Sequence, residues 1–293
     1  MTRPLELGLS ITPLAERPAA HVELARAADQ GGLDLIGVQD HPYQPRFLDT
    51  WTLLSVLAAH TERVRLFPNV ANLPLRPPAV LAKAAASLDV LSGGRVELGL
   101  GGGGFLEPVE AMGGPHRTPG ESVDAVAEAI EVIRLAWSHE RSVSFEGRHY
   151  RLHGYHPGPA PAHPIEVWLG AVRPRMLALT GRASDGWVAP LLTYLPAEAV
   201  PAAQDAIDEA ARAAGRDPSA VRRLMNAPGT ITDGARGAGP LDGPVEHWVE
   251  TLASFARDLR FDTFIFWPGE EGVEQVERFA GEVAPALRAE LAS

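Results

Sequence analysis

Short apolar runs rich in β-formers alternate with Ala-rich segments in which apolar residues recur at three- and four-residue spacing, from one end of the chain to the other. The runs predict strands at 5–11, 33–38, 64–70, 96–100, 165–169, 186–188, 222–227 and 263–267. The segments that follow them predict helices at 20–30, 50–60, 77–91, 122–137, 175–182, 197–214, 245–259 and 273–287.

This order predicts the fold class. Eight βα units in series favour closure into a barrel, because a doubly wound sheet usually has fewer strands and leaves two edges uncovered. We therefore expect an α/β fold, a (β/α)8 TIM barrel built from a single domain over residues 1–293. Residues 139–163, which contain a hairpin pattern at 143–145 and 149–152, and the Gly-rich residues 229–244 interrupt the rhythm. They are expected to be insertions after strands four and seven that cover the substrate.

Composition excludes several classes of function. The chain has 45% hydrophobic and 22% charged residues, as ordinary globular proteins do, and a net charge of -11 without a basic face, which argues against nucleic-acid binding. Without cysteine there can be no disulfide, thiolate metal site or thiol nucleophile. The apolar runs are too short for a signal peptide or a membrane span, so we expect a cytoplasmic protein that does not bind membranes.

Barrel enzymes carry their reacting groups on the loops after the strands, and the second strand ends in Asp40 and His41, followed by a proline. This pair would direct a carboxylate and an imidazole into the barrel mouth, where an imidazole can donate or accept a proton near neutral pH. The alternative is that Asp40 caps the loop or pairs with His41 for local order.

The end of the third strand, at residues 67–74, contains Asn69 and Asn72, which could bind the amide edge of a planar ring. Arg76 comes shortly after and could meet an anion. Turn formation and a helix start would explain these residues equally well.

The fourth strand leads into four glycines. Residues 99–104 satisfy Gly-x-Gly-x-x-Gly, but they follow the fourth strand and no acidic strand end arrives about twenty residues later, so a dinucleotide site is not indicated. The run would let backbone approach a flat ring or a phosphate closely, unless it is only a tight turn. The candidate cofactor-binding residues here are Gly101, Gly102 and Gly103.

The fifth strand ends in Gly170, Ala171 and Val172, before Arg173 and Arg175 at a predicted helix start. Free N–H groups at such a start make a phosphate seat, although helix capping with surface arginines is the alternative.

Two other features are not expected to carry chemistry. His149, His153, His156 and His163 do not fit a zinc spacing, so no metal site is predicted. Residues 88–95 precede a strand and so lie at the stability face of a barrel, where a structural role is expected.

Taken together, these motifs resemble those of the luciferase-like flavin- and coenzyme F420-dependent oxidoreductases of the bacterial luciferase superfamily, over nearly the whole chain. The resemblance depends on the order and spacing of Asp40-His41, LDVLSGGR at 88–95, ELGLG at 97–101, FEGRHY at 145–150, Gly170-Ala171 with Pro174, GRASDGW at 181–187 and FAGEVAP at 279–285.

The resemblance implies a (β/α)8 barrel with a flavin or deazaflavin ring in its mouth. Asp40 and His41 fall where deazaflavin-using members have a similar pair near the reacting ring carbon. Asn69 and Val70 match a strand-three bulge that supports the ring and often contains a non-prolyl cis peptide. Gly170, Ala171 and Val172 match the phosphate-binding turn.

The sequence departs from the family pattern at Gly104, where some deazaflavin-dependent members carry a catalytic Glu. Either Glu107 replaces it, His41 acts alone, or that reaction is absent.

The expected function is that of an oxidoreductase or monooxygenase acting on a small organic substrate, with FMN or coenzyme F420 as cofactor. The Asp40-His41 pair leans towards F420. A homodimer is expected from the family. A non-catalytic flavin-binding protein is an alternative, and a metal-dependent hydrolase is disfavoured because no His-x-His follows the first strand.

Overall fold

The structure is a computed structural model that describes residues 3–234, 236–269 and 272–292. Its strands are β1 Glu6–Ile11, β2 Leu35–Val38, β3 Arg65–Pro68, β4 Ala71–Asn72, β5 Leu98–Gly101, β6 Val143–Glu146, β7 Arg151–Tyr155, β8 Val167–Gly170, β9 Gly186–Ala189, β10 Arg222–Gly229 and β11 Thr263–Pro268. Its helices are α1 Pro18–Gln30, α2 Thr50–Ala59, α3 Pro78–Ser92, α4 Leu106–Ala111, α5 Pro119–Ala136, α6 Pro174–Ala183, α7 Val200–Ala213, α8 Val245–Asp258, α9 Val273–Arg278 and α10 Ala284–Ala292, with a π-helical turn at Phe279–Val283 between the last two.

Nine parallel strands form one sheet in the order β3-β2-β1-β11-β10-β9-β8-β5-β4. The sheet closes because Leu66 of β3 pairs in parallel with Val96, just before β5, through backbone hydrogen bonds of 2.8 and 2.9 Å. The short β4 continues β3 beyond Asn69 and Val70, so the two together are the third strand of an eight-stranded barrel. The predicted TIM barrel is thus confirmed, with its third strand interrupted.

The middle of the barrel is filled by one apolar side chain from each of six strands: Leu35, Phe67, Trp168, Val188, Leu224 and Ile265. The rings of Phe67 and Trp168 pack edge to face with their centroids 5.0 Å apart. Neighbouring strands make room for these large rings with glycine, since a Cβ on Gly186 would lie 2.5 Å from Trp168. The barrel therefore has a packed middle layer rather than a channel.

Below this layer, at the start of the strands, lies a layer of opposite charges that we call the charged floor: Glu6, Arg65, Glu97, Glu166 and Arg222. Arg65 contacts Glu6 at 2.5 Å and Glu97 at 2.7 Å, and Arg222 contacts Glu6 at 3.1 Å. Burial raises the pKa of Glu97, although Arg65 opposes the shift. Because each charge faces an opposite one, the charged floor avoids the large cost of an unpaired buried ion.

The two predicted insertions have different positions. The hairpin of β6 and β7 follows α5, not β5, and packs on the outside of that helix, where Glu128 accepts hydrogen bonds from the backbone N–H groups of Arg148, His149 and Tyr150. The expectation that it covers the substrate was wrong. The segment that does follow β5 contains α4, which the sequence pattern did not indicate.

The second insertion does follow the seventh barrel strand, β10, where Ile231 pairs with Gly243; its residue 235 lies outside the described residues.

Residues 88–95 have the structural role that was expected. The Asp89 carboxylate is fully buried and accepts hydrogen bonds from the backbone of Val96, Ala162 and His163. Arg95 donates to the carbonyl oxygen of Val64, among others. Within the described residues, no group of three or more His, Cys, Asp or Glu side chains is placed to hold a metal ion. In the same part of the chain, no helix is both long enough and apolar enough to cross a membrane.

Candidate functional site

A cavity of about 440 Å³ opens at the C-terminal ends of the barrel strands, and we call it the mouth cavity. It is lined by Gln39, His41, Gln44, Phe47, Asn69, Val70, Phe105, Gly170, Ala171, Val172, Val188, Ala189, Pro190, Leu191, Tyr194, Asn226 and Trp267. Side chains alternate along a strand, so the residue two positions beyond a middle-layer residue points the same way and reaches the mouth. Asn69 follows Phe67 in this way, and Trp267 follows Ile265.

A larger cavity, of about 670 Å³, lies at the opposite end of the barrel between α7 and α8. Its buried Arg223 is paired with Asp208 at 2.5 Å, and Arg260 binds the same carboxylate at 3.0 Å. These charged side chains are already paired with one another. The mouth cavity is the better candidate because it lies at the C-terminal ends of the strands and combines apolar walls with a few uncharged polar side chains, among them Asn69 and Asn226.

His41 lies in the wall of the mouth cavity with its ring partly buried. A hydrogen bond of 2.8 Å joins its Nδ1 to the hydroxyl of Tyr43, and the ring of Phe105 meets it edge-on at 6.2 Å. Burial lowers the pKa of His41, with a smaller opposing effect from Asp40. Burial and the charge of Asp40 raise the pKa of Tyr43 to about 12. Both shifts favour the uncharged form of the group, and Nε2 of His41 has no hydrogen-bond partner within the described residues.

Asp40, the other half of the predicted pair, does not line the mouth cavity. Asp40 is only 3% exposed. Its carboxylate accepts hydrogen bonds from Nε and Nη2 of Arg76, each at 2.8 Å, and from the backbone N–H of Asn72, also at 2.8 Å. Burial alone would lower the pKa of Arg76, but Asp40 and Asp49 raise it above its ordinary value. The geometry makes Asp40 an anchor for two loops, with no oxygen directed at the cavity.

Asn72 and Glu107 also lie outside the lining of the mouth cavity. The side-chain oxygen of Asn72 is buried without a hydrogen-bond partner, so the predicted contact with a ring is not made through the cavity wall. Glu107 lies in the first turn of α4. The proposed replacement of a missing acid by Glu107 therefore stays a prediction.

Asn69 and Val70 are joined by a cis peptide bond, as the resemblance led us to expect. The side-chain amide of Asn69 donates a hydrogen bond of 2.7 Å to Oδ1 of Asn226, which fixes both amides in the wall of the mouth cavity. The Val70 side chain occupies the space that a side chain at Gly101 or Gly170 would need, since a Cβ there would lie 2.8 or 3.0 Å from Val70 Cγ2.

The glycine run serves a different purpose from the one expected. Gly101, Gly102 and Gly103 line no part of the mouth cavity. Gly101 makes room for Val70, and Gly103 has φ +83° with Pro74 so close that a Cβ would lie 2.8 Å from its ring. Only Gly104 faces open space, with no atom within 4 Å of an added Cβ. Most of the run therefore makes room for protein side chains, and contact of Gly101, Gly102 and Gly103 with a cofactor stays a prediction.

Gly170, Ala171 and Val172 do line the mouth cavity, and α6 begins two residues later at Pro174. The carbonyl oxygen of Ala171 accepts a hydrogen bond of 2.9 Å from the Trp187 indole, which fixes this turn. The first N–H groups of a helix have no partners within the helix and favour an anion.

The cavity lining also contains residues that were not predicted as site residues, among them Gln39, Asn226 and Trp267. Asn226 lay within the predicted strand 222–227 and Trp267 ended the predicted strand 263–267, although alternation from Leu224 and Ile265 would have placed both at the mouth.

The parallel barrel and its site at the C-terminal mouth define a TIM-barrel protein. The chain belongs to the luciferase-like monooxygenase family, whose model matches residues 4–238.

Among curated relatives, the chain is 35% identical over 195 residues to the F420-dependent glucose-6-phosphate dehydrogenase of Kineococcus radiotolerans, a match that covers 64% of this chain and 56% of that protein. It is also 35% identical over 213 residues to the F420-dependent hydroxymycolic acid dehydrogenase of Mycobacterium tuberculosis, covering 70% and 56% of the two chains. The chain thus spans a little over half the length of these relatives.

A solved F420-dependent secondary alcohol dehydrogenase, in complex with an F420-acetone adduct, superimposes with a TM-score of 0.84 at 19% identity, covering 97% of this chain and 99% of that one. The monooxygenase RslO1 from Streptomyces bottropensis gives 0.83 at 19% identity, covering 96% and 99%. These likenesses establish the shared fold.

Proposed function

We propose that the protein is an F420-dependent oxidoreductase that transfers a hydride between the deazaflavin and an organic substrate at the mouth cavity. The observation that carries the proposal is the imidazole of His41 in the cavity wall, with Nδ1 hydrogen-bonded to Tyr43. Burial lowers the pKa of this ring and so favours its neutral form. The names of the relatives at 35% identity, both F420-dependent dehydrogenases, support the choice of F420 over FMN.

The residues present fit a flat, amide-edged ring. Val70 offers an apolar surface, and the amides of Asn69 and Asn226 offer a donor and acceptor edge. Gly170, Ala171 and the start of α6 would hold a phosphate of the cofactor tail.

When bound, F420 supplies the hydride chemistry. The protein supplies orientation and proton handling. A neutral imidazole can take the hydroxyl proton of an alcohol, and the imidazolium so formed can return that proton to a carbonyl oxygen in the reverse direction. Nε2 of His41 would carry this proton, with Nδ1 hydrogen-bonded to Tyr43. Tyr43 keeps the ring in one orientation through Nδ1, while the anchored Asp40 holds the loop that carries His41.

The test is titration of the apo protein with F420 and, separately, with FMN, followed by fluorescence. Saturable binding of F420 with substrate-dependent bleaching or recovery of its absorbance is expected. Binding without turnover of any substrate would indicate a flavin-binding protein instead, and preferential binding of FMN with oxygen consumption would indicate a monooxygenase. If neither cofactor binds, the proposal is wrong.

A further inference from the structure

The lining of the mouth cavity contains no Lys, Arg, Asp or Glu among the described residues. Its one titratable group that could become a cation near neutral pH is His41, and burial lowers the pKa of that ring, which favours its uncharged form. Away from the turn at Gly170 and Ala171, where the N–H groups of the start of α6 are available, a phosphate or carboxylate buried against this wall would lose its hydration without gaining a counter-ion, which is strongly unfavourable.

The arginines that the sequence places after the barrel strands, Arg76, Arg173 and Arg175, supply no cation to the cavity lining. Arg76 is held in a forked ion pair by Asp40, and Arg175 contacts Asp124 at 2.7 Å. Arg173 precedes α6, beside the turn that is expected to hold the cofactor phosphate. None of the three lines the cavity.

The outer wall of the mouth cavity is apolar and exposed. Phe105 is 54% exposed, Tyr194 67% and Val172 39%, and they come from three different loops around the same opening. Leu191 and Trp267 continue this surface inward. Several large apolar side chains exposed around one opening mark a surface that a ligand covers.

The polar groups of the cavity lining are few and carry no fixed charge. Asn69 and Asn226 share a hydrogen bond and would meet the edge of the cofactor ring, whereas Nε2 of His41 remains as a partner for a single hydroxyl or carbonyl group. Gln39 and Gln44 are the other amide side chains of the lining. This arrangement suits a molecule with one polar function and a hydrocarbon body.

We infer that the substrate is an uncharged, largely hydrocarbon alcohol or its ketone, not a phosphorylated sugar or another anion. The inference rests on the proposed function, because it assigns a substrate class to the same site. The polar function lies against Nε2 of His41, and the hydrocarbon body lies against Phe105, Tyr194 and Leu191.

The first experiment measures binding alone and needs no turnover. Saturation-transfer difference NMR on the intact protein, with and without F420, compares 2-butanone, 2-hexanone and 2-octanone with glucose 6-phosphate. The ketones are expected to bind about fourfold more tightly for each methylene that is buried, and glucose 6-phosphate is expected to give no saturable signal. Equal or tighter binding of glucose 6-phosphate, or no binding of the ketones, overturns the inference.

Variants locate the binding surface. Phe105→Ala should weaken 2-octanone binding about fivefold to tenfold and flatten the dependence on chain length. Met112→Ala is the matched control, because Met112 ends the helix that follows Phe105, is 51% exposed and lies outside the cavity lining, so its affinity should equal that of the parent. Leu191→Lys, which adds a cation to the wall, should weaken ketone binding and allow glucose 6-phosphate to bind. If Phe105→Ala and Met112→Ala behave alike, the apolar opening is not the binding surface.

A kinetic comparison separates failure of this inference from failure of the proposed function. Oxidation of 2-octanol to 2-octanone delivers one hydride to F420 and one proton to solvent, and it should be faster in kcat/KM than oxidation of glucose 6-phosphate. Faster turnover of the sugar phosphate overturns the substrate class and leaves the F420-dependent activity standing. If F420 does not bind, the proposed function fails, while the ketone-binding measurement still decides the substrate class.

Discussion

The ion pair between Asp40 and Arg76 makes a quantitative prediction about stability. Removing Arg76 in the variant Arg76→Ala deletes two of the three hydrogen bonds to a carboxylate whose side chain is 1% exposed. Loss of one partner of a buried pair typically costs about 3–5 kcal/mol, because the other charge is left buried and uncompensated. The Arg76 side chain is itself 19% exposed and the N–H of Asn72 remains, so we expect the lower end, about 3 kcal/mol.

Urea unfolding followed by tryptophan fluorescence measures this loss directly, and thermal unfolding gives a second reading. At about 2.1 cal/mol/K of unfolding entropy per residue, a loss of about 3 kcal/mol lowers the Tm of this chain by about 5 °C. Arg76→Lys keeps the charge but not the planar fork, so its loss should be intermediate.

The matched control is Arg175→Ala. Arg175 also forms an ion pair at 2.7 Å, but the two side chains are 62% and 47% exposed, and exposed pairs contribute about 0–1 kcal/mol. If Arg76→Ala lies within about 1 kcal/mol of Arg175→Ala, Asp40 is not the anchor described above.

Three further results are expected. His41→Ala should lower kcat at least about a hundredfold and leave the Kd for F420 nearly unchanged, since general acid-base groups contribute about 10²–10⁴-fold; unchanged turnover would remove His41 from the mechanism. Burial places the folded-state pKa of His41 below its ordinary value of 6.5, so the contribution of the neutral ring to stability is present above pH 6.5. This contribution is lost as the pH falls below 6.5, until the folded ring also protonates. The free energies of unfolding of the parent and His41→Gln, measured by urea titration, should therefore converge towards acid pH, and parallel curves would contradict this. Gly101→Ala should lower the free energy of unfolding by about 1–3 kcal/mol by overpacking, because its Cβ would lie 2.8 Å from Val70. Gly104→Ala has open space around the new Cβ and should change it by less than about 0.5 kcal/mol. Equal losses would show that Val70 can move aside.

Much of the barrel could be predicted because its parts are local. Each predicted strand overlaps an observed one, and the long helices begin and end within a few residues of their expected bounds. The interruption of the third strand and the pairing of Leu66 with Val96 could not be predicted in this way, because they depend on contacts between distant residues. The helix α4 was missed because six residues are too few to show a helical period.

The hairpin was misplaced for a related reason. Sequence order shows that it lies between two barrel strands, but only the three backbone hydrogen bonds to Glu128 show on which side of α5 it folds.

The candidate site was predicted where a polar residue directly follows a strand, as His41 and Asn69 do. Asn226 was missed because it lies within a predicted strand, and only alternation from the middle layer shows that it faces the mouth. Asp40 could not be separated from His41 by sequence, since its orientation depends on Arg76, 36 residues away.

The charged floor and the apolar middle layer together have a kinetic consequence. Both layers are packed across the barrel, so within the described residues the mouth cavity is closed at its inner end and opens only at the mouth. Two ligands that share a cavity closed at one end cannot bind and dissociate independently, because the one bound deeper must bind first and dissociate last. Initial-rate and product-inhibition studies should accordingly show compulsory-order kinetics with F420 as the leading reactant, and a random-order pattern would show that the mouth cavity has a second opening.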